Sequence, residues 1–146
     1  MFLDTGDIFL SKEVQKEITR AIYIDPNVDM FSFPYYHKDK LTTDTDNRMH
    51  GKIYKRKFIE KYDISFCANS SYMNEDIGFN RTCRYLTNIE FINTPIISQI
   101  YDEQSLTQKD NQAALYRDQT RALALVSLHT IDICHKNNIS VEEEIN

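Results

Sequence analysis

The run from about Thr107 to Lys136 is the feature that most limits what this chain can become. Leu115, Ala122, Val126, His129 and Ile133 recur there at intervals of seven, four, three and four. That spacing puts them on one stripe of a long amphipathic helix, either continuous or broken near Gln112. His135 and Lys136 complement the dipole at its end, and Asn137-Asn138 can terminate it. His129 lies on the apolar stripe and reads as a satisfied core histidine. The acidic tail Glu142 to Glu144 reads as frayed. A helix of this kind must lay its stripe on something, and 146 residues with 41% apolar side chains suffice for one core. The expectation is a single domain over 1-146.

Upstream, the elements alternate. Met1 to Leu3 reads as the end of a buried strand and Asp4 to Asp7 as an acidic turn containing Gly6. Ser11 can cap a helix with Val14, Ile18, Ala21 and Ile22 on one face, which Asp25-Pro26 stops. Asp29 to Tyr36 should be extended, and the polar stretch His37 to Met49 should be a mobile loop. Gly51 to Tyr54 reads as a strand, Arg56 to Tyr62 as a helical turn and Cys67 to Tyr72 as a second loop. Asn74 opens a helix with Phe79, Cys83 and Leu86 on one face, Cys83 being a small buried hydrophobe. Ile89 to Tyr101, interrupted by Pro95, reads as two strands or one bent edge strand. The fold class is therefore α/β, with a mixed sheet and a long C-terminal helix.

Charge removes some functions. At a net charge of -5, the chain has no broad basic face for nucleic acid. The one basic run, Lys52, Lys55, Arg56, Lys57 and Lys61, reads as the solvated side of a short helix. No apolar run approaches the roughly 20 residues a bilayer demands. Cys67, Cys83 and Cys134 are odd in number and widely spaced, which suits a reducing cytoplasm. Three matches to the N-glycosylation acceptor rule, beginning at Asn69, Asn80 and Asn138, are treated as chance.

Two acidic clusters fall at strand-to-helix junctions, Asp4 with Asp7 and Glu75 with Asp76, the place where open α/β sheets gather ligand-binding groups. Each alone is also ordinary turn or helix-start chemistry. In sequence order, four segments together resemble the family-2 glycosyltransferases of the GT-A fold. Met1-Phe-Leu-Asp-Thr-Gly-Asp-Ile-Phe-Leu-Ser looks like the strand ending in that family's DxD region, with Gly6 where an Asp is common. His50-Gly-Lys-Ile-Tyr-Lys-Arg-Lys-Phe-Ile-Glu-Lys-Tyr-Asp-Ile-Ser-Phe looks like the segment after its acceptor loop. Asn74-Glu-Asp-Ile-Gly-Phe-Asn resembles its catalytic helix start, and Tyr101 to Thr107 the stretch that follows.

The resemblance covers residues 1 to about 110 and implies a partial nucleotide-diphospho-sugar transferase fold. It implies transfer of a sugar from a nucleotide-sugar donor to an acceptor hydroxyl. Asp76 is the expected catalytic base with Glu75 as support, and His50 and Lys52 are the expected substrate contacts. Asp4 and Asp7 would hold a divalent metal, Mg²⁺ or Mn²⁺, against the donor diphosphate. The family's nucleotide-binding half would lie before Met1, so the chain corresponds to the C-terminal, acceptor-side half. That leads to the expectation of a split or truncated enzyme, with a second chain or self-association at the strand edge near Met1 to Leu3. The alternative is a non-catalytic interaction module retaining a remnant of the fold, and a third reading is an unrelated small α/β protein.

Overall fold

The computed structural model describes residues 7–37, 39–43, 48–70, 74–99 and 112–141, without the side chains of 112–116. The elements run β1 (Asp7–Phe9), α1 (Val14–Ile24), β2 (Met30–Ser32), β3 (Tyr35–His37), β4 (Lys40–Thr42), β5 (Lys52–Tyr54), α2 (Arg56–Lys61), α3 (Glu75–Leu86), β6 (Ile89–Phe91), β7 (Ile97–Gln99) and α4 (Gln112–Lys136). They fall into two compact units, Met1–Lys55 with Asn88–Gln108 and Arg56–Thr87 with Lys109–Asn146.

The first unit holds two sheets where the sequence suggested one. Four strands lie in the order β1-β7-β3-β4 and three in the order β5-β2-β6. Both are mixed: β3 runs parallel to β7 and β2 parallel to β6, while the other pairs are antiparallel. Among the described strands the chain changes sheet four times, between β1 and β2, at Phe33-Pro34, between β4 and β5, and between Phe91 and Ile97. Pro34, lacking an N–H, still gives its carbonyl to the Ile96 amide at 3.2 Å. One core cluster joins the sheets to α1, uniting Val14, Ala21, Phe31, Phe33, Tyr35, Ile96 and Ile97. Val14, Ile18 and Ala21 face that core as their spacing predicted, but Ile22 remains 45% exposed. Ser11 does not cap α1 by its side chain; its hydroxyl accepts from the Glu13 amide in the turn before the helix.

Two expectations change here. Asp7, read as the end of a turn, is the first residue of a strand. The stretch taken as a loop from His37 begins with a hairpin, in which Tyr35–His37 pairs with Lys40–Thr42 around Asp39 at φ 61°. Of the two alternatives read for Ile89 to Tyr101, two strands is the one observed through Gln99, and these strands, β6 and β7, lie in different sheets. The strand expected at Met1 to Leu3, and with it the predicted pairing edge, lies outside the described residues. Strand β1 is itself at the end of its sheet, with Ile8 and Phe9 about half exposed.

The second unit is helical. α3 and α4 approach so closely that a Cβ on Gly78 would sit 2.2 Å from Val126 Cγ1. Thr82 and Thr130, both buried, meet there with hydroxyls 3.0 Å apart, and Thr82 donates to the Gly78 carbonyl at 2.8 Å. Phe79 and Cys83 face inward as predicted, and the Phe79 ring stacks on Phe66 at 4.6 Å. Helix α4 ends in a Schellman turn, Asn138 taking φ 61° while the Ile139 amide reaches the Cys134 carbonyl at 2.9 Å. His129 is half-buried, and its Nε2–H donates to the Ser65 carbonyl at 3.0 Å.

Among the described residues no helix is long and apolar enough to cross a membrane.

Candidate functional site

Helix α3 is entered through Asn74, which adopts φ 61° and ψ 7°. A left-handed conformation is uncommon for a residue with a side chain, and Asn tolerates it better than most. The turn is held on both sides: the Asn74 carbonyl accepts the Gly78 amide at 2.9 Å, and its side-chain amide reaches the Gln119 carbonyl of α4 at 3.5 Å. Glu75 and Asp76 therefore leave the chain in the first turn of a helix fixed at both ends of that turn. Both carboxylates are half-buried. One oxygen of Glu75, Oε2, is shut off from solvent with no hydrogen-bond partner among the described residues. The helix N-terminus favours negative charge at both positions.

The second group is His50-Gly51-Lys52. Gly51 sits at φ +69°, and a Cβ there would lie 2.2 Å from the Phe33 carbonyl oxygen, so only glycine fits this crossing. The turn lays the His50 ring on Tyr35, with centroids 5.2 Å apart and planes at 26°. Lys52 opens β5 opposite Ser32 and has no exposed surface; its Nζ is 3.4 Å from the His50 carbonyl. The other members of the basic run, Lys55, Arg56, Lys57 and Lys61, are exposed, so Lys52 does not belong with them. Lys55 instead joins Asp29 at 3.5 Å and the Pro26 carbonyl at 2.9 Å.

Of the two predicted metal ligands, Asp7 is half-buried opposite Gln99, and Asp4 lies outside the described residues. Among the described residues no three His, Cys, Asp or Glu side chains gather as a metal would need. Asp7 still suits a hard cation whose remaining positions are filled by diphosphate oxygens and water, because Mg²⁺ commonly takes only one or two carboxylates from a protein. Asp7, His50 and Lys52 belong to the first unit, and Glu75 and Asp76 to the second.

One feature had no signal in the sequence. His37 Nδ1 lies 2.7 Å from Gln99 Oε1, a pair 62 residues apart brought together by the parallel register of β3 and β7. Burial pushes the Cys83 thiol well up and the Cys134 thiol up from their ordinary values, which keeps both protonated.

No protein-family model matches this sequence, and neither the comparison with curated proteins nor that with solved structures finds a match.

Proposed function

We propose that this chain is the acceptor-side part of a glycosyltransferase of GT-A type, moving a sugar from a nucleotide-sugar donor to an acceptor hydroxyl. The observation that supports it best is the Asn74-Glu75-Asp76 entry to α3, where a left-handed residue holds two carboxylates at a helix start. General-base chemistry needs such a group: a carboxylate fixed in direction and half-open to a substrate. Asp76 takes the acceptor hydroxyl's proton as its oxygen attacks the anomeric carbon and the bond to the diphosphate breaks. Glu75, with one oxygen facing inward, sets the position of the turn. His50, held flat against Tyr35 in the turn before β5, is the substrate contact of the first unit; Lys52, expected as a second such contact, has no exposed surface and instead supports that turn through the His50 carbonyl. A divalent ion on Asp7 would neutralise the charge developing on the leaving diphosphate.

The test is sugar transfer by a preparation that keeps any co-purifying chain, supplied with Mn²⁺ or Mg²⁺, nucleotide sugars and a saccharide panel. Asp76→Asn keeps size and hydrogen bonding while removing the base, so turnover should fall by about two to four orders of magnitude, with little change in donor affinity. Wild-type turnover in Asp76→Asn, with chemistry limiting, returns Glu75 and Asp76 to ordinary helix-start residues.

A further inference from the structure

Strand β1 closes one end of the four-stranded sheet, and its register shows which of its backbone groups are in use. Antiparallel neighbours alternate between pairs that exchange both backbone bonds and pairs that exchange none. The Leu10 amide donates to the Ile96 carbonyl at 3.1 Å, so Leu10 opposite Ile96 and Ile8 opposite Ser98 are bonded pairs. Phe9 opposite Ile97 is then a pair that exchanges none. Its N–H and C=O point away from β7 and have no backbone partner among the described residues. An edge of this kind is a template for another strand unless lysine, proline or a bulge protects it. At the other end of the sheet β4 carries the exposed Lys40. The run Asp7 to Leu10 carries neither lysine nor proline, and its Ile8, Phe9 and Leu10 are 52%, 45% and 41% exposed.

The side chains narrow what the added strand is. Phe9 stands in one row with Ile97 and Tyr35, buried residues of the core that includes Val14 of α1. The row stops at Phe9. Beside it lies a groove of about 720 Å³ whose walls include Val14, Gln15 and Ile18 of α1. The unfilled place is therefore at the open edge, on the face that α1 covers, where the row would continue. A two-fold axis perpendicular to the sheet at Phe9 fills it with the same residue. Phe9 then opposes Phe9 of the second copy, the two backbones exchange two hydrogen bonds, and each ring extends the other's apolar row along the groove. On the opposite face the same register sets Ile8 against Leu10 of the second copy, twice. Every exposed apolar side chain of the run thus meets another. A register centred on Ile8 would also serve the backbone, but it would press each Asp7 carboxylate against a Phe9 ring. Centring on Phe9 sets Asp7 beside Ser11 of the second copy, which leaves the carboxylate able to hold the divalent ion assigned to it above.

We infer that this chain forms a two-fold dimer through β1, antiparallel about Phe9, which joins the two four-stranded sheets into one continuous sheet. The contact is small, so the dimer is weak and depends on concentration. It stands on strand register and exposed apolar surface and does not need the transferase reading.

The experiment combines sedimentation equilibrium of the full chain, from about 1 µM to about 1 mM, with amide hydrogen exchange resolved by residue. The expected result is a reversible equilibrium of monomer and dimer within that range. The Phe9 amide should gain protection as concentration rises, while the Ile8 and Leu10 amides, already bonded to β7, should change less. Phe9→Asp sets two carboxylates against each other on the axis and should raise the dissociation constant about tenfold or more. Circular dichroism matching wild type shows that the variant folds; if it does not, the concentration dependence of the wild-type Phe9 amide decides alone. A monomer at every concentration overturns the inference. So does a Phe9 amide whose protection is the same at all concentrations, or a dimer of unchanged strength in folded Phe9→Asp.

Discussion

The two described glycines sit in different units and are close to different things. Gly51, in the sheet unit, faces the Phe33 carbonyl oxygen, whereas Gly78, in the helical unit, faces the tip of Val126, each at 2.2 Å from the position of an added Cβ. A carbonyl pinned in a sheet crossing cannot move without breaking its neighbours, including the Phe33 amide's 3.0 Å bond to the Gly51 carbonyl. A valine methyl can rotate or be trimmed. The sheet unit is therefore fixed by backbone and the helical unit by side-chain packing.

The largest expected effect follows from that difference. Gly51→Ala forces a Cβ into a left-handed residue, at roughly 1–2 kcal/mol, and into a backbone oxygen, at about 1–3 kcal/mol more. Denaturant unfolding should show the sum, and no side-chain change elsewhere should restore it. The turn carries His50 and opens β5 at Lys52, so Gly51→Ala should also displace the His50 ring from Tyr35. A cost below about 1 kcal/mol would mean that this crossing is as adaptable as the helix contact.

Gly78→Ala should cost less, because two effects oppose. Overpacking against Val126 costs about 1–3 kcal/mol, and replacing Gly by Ala inside a helix returns about 1 kcal/mol. Adding Val126→Ala should recover most of the loss, a coupling a double-mutant cycle would measure directly. An uncoupled pair would show that α3 and α4 are held together elsewhere. The candidate is the buried hydroxyl pair one turn further along. Thr82→Val leaves the Thr130 hydroxyl only the Gly78 carbonyl, at 3.5 Å, and should cost about 1–3 kcal/mol, whereas Thr130→Val leaves Thr82 its 2.8 Å bond to that carbonyl and should cost less.

The same division explains which parts could be read from the sequence. α1, α2, α3 and α4 are set by local periodicity, and the sequence placed all four, including the Glu75-Asp76 start and the Asn137-Asn138 stop. The short strands gave weaker signals. Lys40-Leu41-Thr42 is too polar and too short to announce β4, and its hairpin depends on Asp39 accepting a positive φ. Nothing local to Phe33-Pro34 says that the chain leaves one sheet for another. His37 reads as one residue of a polar loop because its partner is 62 residues away, and Lys52 reads as part of a solvated basic run because four exposed basic residues follow it. Helix content and the acidic helix start were legible because they depend on neighbours a few residues away. The contact between His37 and Gln99 was not, since it depends on strand register.

The smallest expected effect tests the helical unit at its surface. Lys136 donates to Asp132 one turn earlier on α4, with Nζ and Oδ2 2.6 Å apart. That hydrogen bond holds the Asp132 carboxyl below the ordinary carboxylate value of 3.8, and the same bond raises the Lys136 ammonium above its ordinary 10.5. The signs give two limits to one plateau. A lowered carboxylate contributes stability at pH above its unfolded value and loses it as pH falls through the folded value. A raised ammonium contributes below its unfolded value and loses it as pH rises through the folded value. The contribution should therefore be flat between about pH 5 and pH 9 and fade at both ends. Both side chains are mostly exposed, so solvent and salt screen the pair and its share is small. Asp132→Asn should lower the thermal midpoint only slightly at neutral pH in dilute buffer, and the difference should vanish in 1 M NaCl. A loss that persists in high salt would show that Asp132 supports α4 by something other than charge.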